Sequence, residues 1–317
     1  MTPEPSSYLD LYLEPLAPYL SRADVTDIFI NRPGEIWTES LGGAVGRHDE
    51  PAIDDAHLWR LARQIAGWSN QGVNPRHPLL SAALPDGARV QIVTPPATRR
   101  GVALAIRRHA ASTVPLDSYR QDAATWNAKP QAFDIASMQG DFPKLLSHAV
   151  RTRKNILISG GTSSGKTTLL NSLLAEIPAQ ERLIFIEDTP ELRQSHANSV
   201  GLVAVRGAQG EAQVSTEDLL QASLRMRPDR IIIGELRGPE AFTFLRAINT
   251  GHPGSLTTIH ADSPERAFVQ LAMMALQAGV GLSYPDVRAL VQDMVDVVVQ
   301  VERTPNGRRI VDLIVTG

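Results

Sequence analysis

Residues 156–175 read ILISGGTSSGKTTLLNSLLA, and this stretch decides the fold. A short apolar strand, Ile156–Ser159, leads into Gly160–Thr167, which matches the phosphate-binding pattern GxxxxGK[ST], and a helical pattern follows. The glycines let backbone N–H groups curl around an anion, and the helix N-terminus adds partial positive charge. Because the full pattern stands in its strand–turn–helix setting, it predicts a site for nucleotide phosphates rather than a chance glycine-rich turn.

The ligands predicted for this loop are ATP and Mg²⁺. We expect Lys166 to bind β- and γ-phosphate oxygens and the Thr167 hydroxyl to hold Mg²⁺. The loop residues expected to bind the nucleotide are consecutive in the chain: Gly160, Gly161, Thr162, Ser163, Ser164, Gly165, Lys166, Thr167 and Thr168.

The alternation of strand and helix patterns after residue 142 predicts a parallel sheet. Strands that are buried on both faces read as continuous apolar runs, and the helices between them cover the sheet on both sides. The apolar runs are Asn155–Ser159, Leu183–Glu187 and Arg230–Gly234, and the helical stretches are Lys166–Glu176, Thr216–Met226 and Pro239–Asn249. The fold class expected for this part is therefore α/β, with a mostly parallel sheet and helices on both faces.

The first 110 residues show a different pattern, that of a smaller α+β domain. Strand patterns at Val25–Ile30, Glu35–Glu39, Arg89–Thr94 and Val102–Arg107 accompany one helical pattern at His57–Trp68. After residue 110 the periodicity fades into Pro, Ser, Gln and small residues, which indicates a linker. We therefore expect an N-terminal domain at 1–110, a linker at 111–141 and a nucleotide-binding domain at 142–317.

Two of the apolar strands end in carboxylates, where α/β sheets place their ligands. Glu187 ends the first, and Glu235 follows Arg230–Gly234 in the form of a Walker B element with Glu in place of Asp. We expect one carboxylate to orient the Mg²⁺ shell and the other to polarise the attacking water. The sequence leaves open which does which, and a solvated strand end is the alternative for either one.

Two histidines, His252 and His260, lie among small and hydroxyl residues on a glycine-flanked strand. This composition suits a loop that senses a phosphate, with a structural role as the alternative for each histidine. The candidate catalytic residues are Lys166, Glu187, Glu235 and His260, and the candidate metal-binding residues are Thr167 and Glu235.

The composition argues against several classes of protein. The net charge of −3 and the pI of about 6.2 lack the basic excess of a dedicated nucleic-acid binder. The absence of cysteine excludes disulfides and cysteine-based zinc sites. The first residues lack the pattern of a signal peptide, and the longest apolar stretches are too short to cross a bilayer. We therefore expect a cytoplasmic protein.

Four segments together resemble one family, the ATPases of type II secretion, type IV secretion and type IV pili. The phosphate loop, EDTPEL at 187–192, LRMRPDRIIIGELR at 224–237 and the stretch at 251–261 are similar to its Walker A motif, Asp box, Walker B motif and His box. DIFINRPG at 27–34, PDGARVQIV at 85–93 and LAIRR at 104–108 resemble the N-terminal domain of the type IV secretion and conjugation branch. The resemblance covers most of the chain.

The resemblance implies a homohexameric ring in which N-terminal domains form one tier and RecA-like ATPase domains the other. Nucleotide then lies between the two domains of a subunit, and ATP binding closes them. Arg89 and Arg107 are implied to reach the phosphates from the N-terminal domain, with a surface or ion-paired arginine as the alternative for each. Arg225 and Arg227 are candidates for neutralising phosphate charge across a subunit interface. The implied partners are inner-membrane components of a secretion channel, with peripheral membrane contact.

Three alternatives to a type IV secretion or conjugation motor stay open at this point. A type II secretion or pilus motor shares the four boxes, although the four-cysteine module of many type II members is missing here. A RecA-like nucleic-acid motor shares the phosphate loop, but aromatic residues are only 5% of the chain and no basic excess is present. We therefore do not expect direct nucleic-acid binding as the main role. A non-catalytic nucleotide-gated scaffold is the third, and the intact loop and carboxylates argue against it.

Overall fold

The computed structural model describes residues 8–108, 140–205, 212–305 and 307–316. Within them the chain forms two sheets, one from the N-terminal part and one from residue 156 onward. The predicted linker at 111–141 lies almost entirely outside the described residues, so its two boundaries with the domains stay predictions. None of the described helices has the length and apolar character needed to span a bilayer.

The N-terminal sheet is antiparallel and carries helices on one face. Its strands are β1 (Val25–Ile30), β2 (Glu35–Ser40), β3 (Val45–Asp49), β4 (Leu79–Ala83), β5 (Arg89–Val93) and β6 (Ala103–Arg107). The helices of this part are α1 (Tyr8–Leu13), α2 (Ala17–Leu20) and α3 (Asp55–Trp68), with a 3-10 turn at Glu14–Leu16. The strands lie in the order β3-β2-β1-β6-β5-β4.

Alternation along the strands gives this sheet two apolar faces. Ile28, Ile30, Leu104 and Ile106 pack with α1 and α3 in a core of their own. Phe29 and its neighbours on the opposite face, including Ala103 and Ala105, join the core of the second sheet instead. Because successive side chains of a strand point to opposite sides, one sheet serves two cores, and the two parts of the chain share one of them.

The second sheet, called the large sheet below, has seven strands and the α/β architecture predicted from the sequence. Its strands are β7 (Ile156–Ser159), β8 (Leu183–Glu187), β9 (Ser199–Val203), β10 (Arg230–Ile233), β11 (Leu256–Ile259), β12 (Val297–Thr304) and β13 (Gly307–Val315). The described helices are α4 (Phe142–Arg151), α5 (Lys166–Leu174), α6 (Thr216–Ser223), α7 (Glu240–Asn249), α8 (Pro264–Leu276) and α9 (Tyr284–Met294). The strand order is β13-β12-β7-β11-β10-β8-β9, and only the β12–β13 pair is antiparallel.

Helices cover both faces of this sheet, which confirms the expected fold class. Helices α4 and α5 pack on the face that carries Ile156 and Ile158, and α6 to α9 pack on the face that carries Leu157. The sequence analysis did not identify β3, β4, β9, β12 or β13. It also extended α5 and α6 beyond their ends at Leu174 and Ser223.

The two parts of the chain are joined by backbone pairing as well as by apolar contact. Residues 97–99, in the connection between β5 and β6, lie antiparallel along the edge strand β9. The Arg99 N–H donates to the Gly201 carbonyl at 3.0 Å, and the Val203 N–H donates to the Ala97 carbonyl at 3.0 Å. This pairing covers one edge of the large sheet, which would otherwise expose unpaired backbone groups.

A buried arginine lies at the centre of the same contact. The Arg182 guanidinium stacks 4.0 Å from the centre of the Phe29 ring and donates to the side-chain oxygens of Asn31 and Asn198 at 2.6 and 2.5 Å. Burial lowers the pKa of Arg182 to about 9, although the nearby Asp229 opposes that shift. Because its partners come from both parts of the chain, this side chain ties the N-terminal sheet to β8 and β9.

A second buried arginine stabilises the large sheet on its own. Arg230 begins β10 and is fully buried, and its guanidinium donates to both oxygens of Glu181 at 2.7 and 2.8 Å. A third bond runs from Arg230 to the Val150 carbonyl at 2.7 Å. Loss of Glu181 would destabilise the fold, because the Arg230 charge would stay buried without a counter-charge.

We predict that Glu181→Gln lowers the free energy of unfolding by about 3–5 kcal/mol, because it leaves the Arg230 charge buried without its counter-charge. Denaturant titration of the purified protein measures this loss. The matched control is Glu176→Gln, because Glu176 pairs with the exposed Arg151 at 3.0 Å near the surface. There the expected loss is only about 0–1 kcal/mol. Equal losses in the two variants would show that burial of the Arg230 pair has no special weight.

Candidate active site

The strand order gathers the candidate residues at one edge of the large sheet. Strands β7, β8, β10 and β11 are parallel neighbours, so their carboxyl ends meet, and the chain leaves each of them on the same side. A cavity of about 350 Å³ opens there. It is lined by Thr162, Ser163, Lys166, Thr167, Glu187, Asp188, Thr189, Glu191, Leu192, Gly234, Glu235, Arg237, Thr258 and His260.

The phosphate loop needs glycine at two of its positions. Gly165 stands before α5 with a φ of +107°, in a region that side chains rarely permit. Gly160 lies so close to β12 and to Ser164 that an added Cβ would collide with the Val301 carbonyl and come within 2.5 Å of the Ser164 hydroxyl oxygen. These constraints fix the turn that aims the N-terminus of α5 at the cavity.

Lys166 lies at the base of this cavity. Its ammonium donates to the carbonyls of Gly160 and Gly161 at 2.9 Å each and lies 3.3 Å from Nδ1 of His260. Burial lowers the pKa of Lys166, while the charge of Glu235 acts in the opposite direction. A hydrogen bond between these two atoms can run only from the Lys166 ammonium to Nδ1, because an ammonium has no acceptor.

Glu235, His260 and Arg237 form a connected cluster next to Lys166 in the same cavity. The Nε2 atom of His260 lies 2.5 Å from one oxygen of Glu235, and Nε of Arg237 donates to the other at 2.5 Å. Arg237 also reaches Asp188 at 3.3 Å. The Glu235 carboxylate therefore orients one cation and one imidazole toward the cavity.

Glu187 is turned into the protein. It is only 3% exposed. Its Oε1 atom accepts from the backbone N–H groups of Glu191 and Leu192 at 2.8 Å each, and Oε2 forms an ion pair with Arg99. Both oxygens are thus engaged, and the carboxylate holds the end of the 188–192 loop in place.

Glu191 is the carboxylate that approaches the phosphate loop. Its Oε2 accepts from the Thr167 hydroxyl at 3.2 Å, and the residue is exposed at the cavity. The sequence analysis noted Glu191 in the EDTPEL segment without placing it among the candidate residues. It also passed over Asp188, Arg237 and Arg99. Glu191 and Asp188 could have been identified by their place in the EDTPEL segment, and Arg237 by its closeness to Glu235 in the sequence.

The structure brings together the predicted Lys166, Thr167, Glu187, Glu235 and His260 in this cavity. A smaller cavity of about 180 Å³ shares Ser163, Lys166 and Thr167 with the first and is also lined by Ser164, Gly165, Thr168 and Arg308, which donates to the Thr168 hydroxyl at 3.1 Å. Gly160 and Gly161 line neither cavity. His252 is not part of either, since its Nδ1 lies 2.9 Å from the Pro228 carbonyl.

Arg89 and Arg107 do not line the phosphate-loop cavity of their own chain. They face a separate cavity of about 480 Å³, where Arg225 and the end of α6 form the opposite wall. Arg107 pairs with Asp27 at 2.9 Å, and Arg225 donates to the Ser81 hydroxyl at 3.4 Å. Its described lining includes these three arginines and no carboxylate.

The donors at the cavity suit Mg²⁺ rather than a softer metal. In the described parts of the chain, no group of three or more His, Cys, Asp or Glu side chains is placed so that it could hold a metal ion by itself. The Thr167 hydroxyl and the Glu191 carboxylate instead offer hard oxygen atoms next to the phosphate loop. Mg²⁺ is commonly held by one or two such groups, with phosphate oxygens and water as its other ligands.

Comparison with known proteins agrees with this geometry. The family model described as type II/IV secretion system protein matches residues 12–307. The type IV secretion system protein PtlH homolog of Bordetella bronchiseptica is 41% identical, over 98% of this chain and 96% of its own length. The type IV secretion system protein VirB11 of Bartonella quintana is 36% identical, over 95% of this chain and 91% of its own.

One solved structure matches the whole fold. The VirB11 ATPase of the Brucella suis type IV secretion system, in complex with sulphate, superposes with a TM-score of 0.90 at 36% identity, over 97% of this chain and 94% of that one. These findings confirm the resemblance inferred from the four boxes. The chain therefore belongs to the type II/IV secretion system protein family and is a secretion ATPase of its type IV branch.

Proposed function

We propose that this chain forms a homohexameric ring that hydrolyses Mg-ATP and converts hydrolysis into movement of its N-terminal part against its ATPase part. The ring would power substrate transfer in a type IV secretion or conjugation system. The observation that carries the proposal is the convergence of Lys166, Thr167, Glu191, Glu235 and His260 on one cavity beside the phosphate loop. Its place would be the cytoplasmic base of the channel, in peripheral contact with inner-membrane components.

The loop and Lys166 bind the phosphates in this scheme. Backbone N–H groups at the start of α5 surround the phosphate chain. The Lys166 ammonium would exchange the carbonyls of Gly160 and Gly161 for β- and γ-phosphate oxygens. The Thr167 hydroxyl would hold Mg²⁺, which would supply charge neutralisation at the phosphates.

The carboxylates divide their work according to exposure. Both oxygens of the buried Glu187 are engaged, so in this proposal Glu187 positions the 188–192 loop and does not touch water. Glu191 is exposed beside Thr167 and orients the attacking water and receives its proton. Glu235 holds His260 and Arg237 against the terminal phosphate, where negative charge develops.

The three arginines of the second cavity suggest why a ring is needed. Arg89 and Arg107 are directly opposite each other on β5 and β6, and although Asp27 pairs with Arg107, a bound anion would offset the remaining like charge. Since they do not reach the phosphate loop of their own chain, we propose that they bind the phosphates of a neighbouring subunit, with Arg225 beside them. Each site would then be completed by the next chain around the ring.

We expect Lys166→Ala to reduce phosphate release by about 10²-fold or more while the fold is retained, because the phosphates lose their main cation. Phosphate release from Mg-ATP and a thermal unfolding curve measure the two effects. Lys144→Ala, an exposed lysine on α4, is the matched control and should behave as wild type. Phosphate release in Lys166→Ala at the wild-type rate would refute ATP hydrolysis at this site.

Glu191→Gln should lower kcat by about 10²–10³-fold and change KM for Mg-ATP by less than about threefold, since it removes a proton acceptor rather than a phosphate ligand. Steady-state kinetics separate the two constants. Glu302→Gln, an exposed carboxylate on β12, serves as the control with unchanged kinetics. If Glu191→Gln retains the wild-type kcat, the water is activated elsewhere.

Mixing two inactive variants tests the ring. Arg89→Ala and Lys166→Ala subunits, purified separately and combined, should release more phosphate together than the sum of the two alone. Some sites would join an intact loop to an intact Arg89 from the neighbour. A mixture of Arg89→Ala with the double variant Arg89→Ala/Lys166→Ala contains no such site and is the control. Strict additivity in the first mixture would show that Arg89 acts only within its own chain.

A further inference from the structure

Arg99, which belongs to the N-terminal part, contacts two residues that line the phosphate-loop cavity, Glu187 and Leu192. It lies in the connection between β5 and β6, and its side chain is 14% exposed. One end of its guanidinium forms the ion pair with Oε2 of Glu187, and Nη1 donates to the Leu192 carbonyl at 2.9 Å. A single cation therefore holds both the strand end and the end of the following loop.

The path of this side chain is fixed at two further points. Its own N–H pairs with the Gly201 carbonyl on β9, which anchors the backbone of Arg99 against the edge strand. The side chain then crosses Gly201, where an added Cβ would approach Arg99 Cδ to 2.6 Å. The same Cβ would collide with the Gln194 amide, so glycine at this position leaves room for both side chains.

The charge of Glu187 depends on this contact. A carboxylate that is 3% exposed is costly to keep ionised unless a cation and hydrogen-bond donors compensate it. The N–H groups of Glu191 and Leu192 supply the donors, and Arg99 supplies the cation. An ionised Glu187 is the stronger acceptor for those two N–H groups, and they set where the Glu191 side chain begins.

We propose that Arg99 is a positioning residue that the N-terminal part inserts into the catalytic site of its own chain. Through Glu187 it fixes the 188–192 loop and, with it, Glu191 beside Thr167. Docking of the N-terminal sheet on β9 therefore sets the position of Glu191, the water-activating carboxylate. This inference rests on the proposed ATP hydrolysis at the phosphate loop.

The role differs from that of the other N-terminal arginines. Arg89 and Arg107 face the separate cavity and touch no residue of the phosphate-loop site. Arg99 contacts Glu187 and Leu192 directly but is aimed at protein groups, so it has no part in binding phosphate. We therefore expect its loss to affect turnover and to leave nucleotide affinity nearly unchanged.

A double-mutant cycle tests the proposal on the full-length protein. Arg99→Met should lower kcat for Mg-ATP by about 10–100-fold and change KM by less than about threefold. In the Glu187→Gln background, where no buried charge needs the arginine, the same change should alter kcat by less than about threefold. Arg100→Met removes the exposed neighbouring arginine and is the matched control, with wild-type kinetics expected.

Three results would overturn the proposal: wild-type kcat in Arg99→Met, an equal loss of kcat in both backgrounds, or a loss that appears in KM alone. An equal loss would reduce Arg99 to a docking residue. If Arg99→Met does not fold, Arg99→Lys takes its place in the cycle. Lysine keeps the charge but cannot hold Glu187 and the Leu192 carbonyl together, so a loss of about fivefold is expected, again only with Glu187 present.

The two proposals fail in different ways. Wild-type protein that releases no phosphate from Mg-ATP refutes the proposed function itself. If the wild-type protein releases phosphate and Arg99→Met releases it at the same rate, only the role of Arg99 is refuted.

Discussion

The site depends on one constraint, which is that parallel strands deliver their carboxyl ends to the same edge of a sheet. Strands β7, β8, β10 and β11 supply the phosphate loop, the Glu187 loop, Glu235 and His260 at that edge, although these segments are far apart in sequence. The buried, apolar character of each strand holds the register, so the polar groups are left just beyond the strand ends. The chemistry of the cavity follows from this arrangement together with the turn at Gly160–Thr167.

The features that could be predicted from the sequence are those whose pattern lies within a few neighbouring residues. The phosphate loop, β8, β10 and α5 were readable because a strand, a turn motif and a helix each leave a pattern within a few residues. The division of labour among the carboxylates was not readable. Glu187 and Glu191 differ in what surrounds them, and burial, backbone N–H groups and an arginine from another sheet are tertiary facts. Strand β9, with Gly201 at its centre, shows no strong strand pattern, yet it is the edge on which the N-terminal part docks.

The arginines of the N-terminal part fall into two groups with different reach. Residues 97–99 lie along β9, so Arg99 points back into the site of the same chain, while Arg89 and Arg107 stand on the sheet itself and face outward with Arg225. The sequence resemblance implied that Arg89 and Arg107 reach nucleotide, and the structure adds that they stand apart from the phosphate loop of their own chain. The N-terminal part thus contacts its own ATPase part through residues 97–99 and carries a separate charged surface at Arg89 and Arg107.

Gly201 bears on how related chains can differ. Any side chain at this position would run into Gln194 and Arg99, so a substitution there requires the arginine to shorten or to take another route. Replacing Arg99 with a small residue removes one of these two obstacles, and Gln194 remains. A side chain can therefore take the place of Gly201 only where both neighbours have changed or moved, whereas Arg99 can be lost while the glycine stays. The order of change at this interface is thus one-sided, with the glycine the last of the three positions to become free to vary.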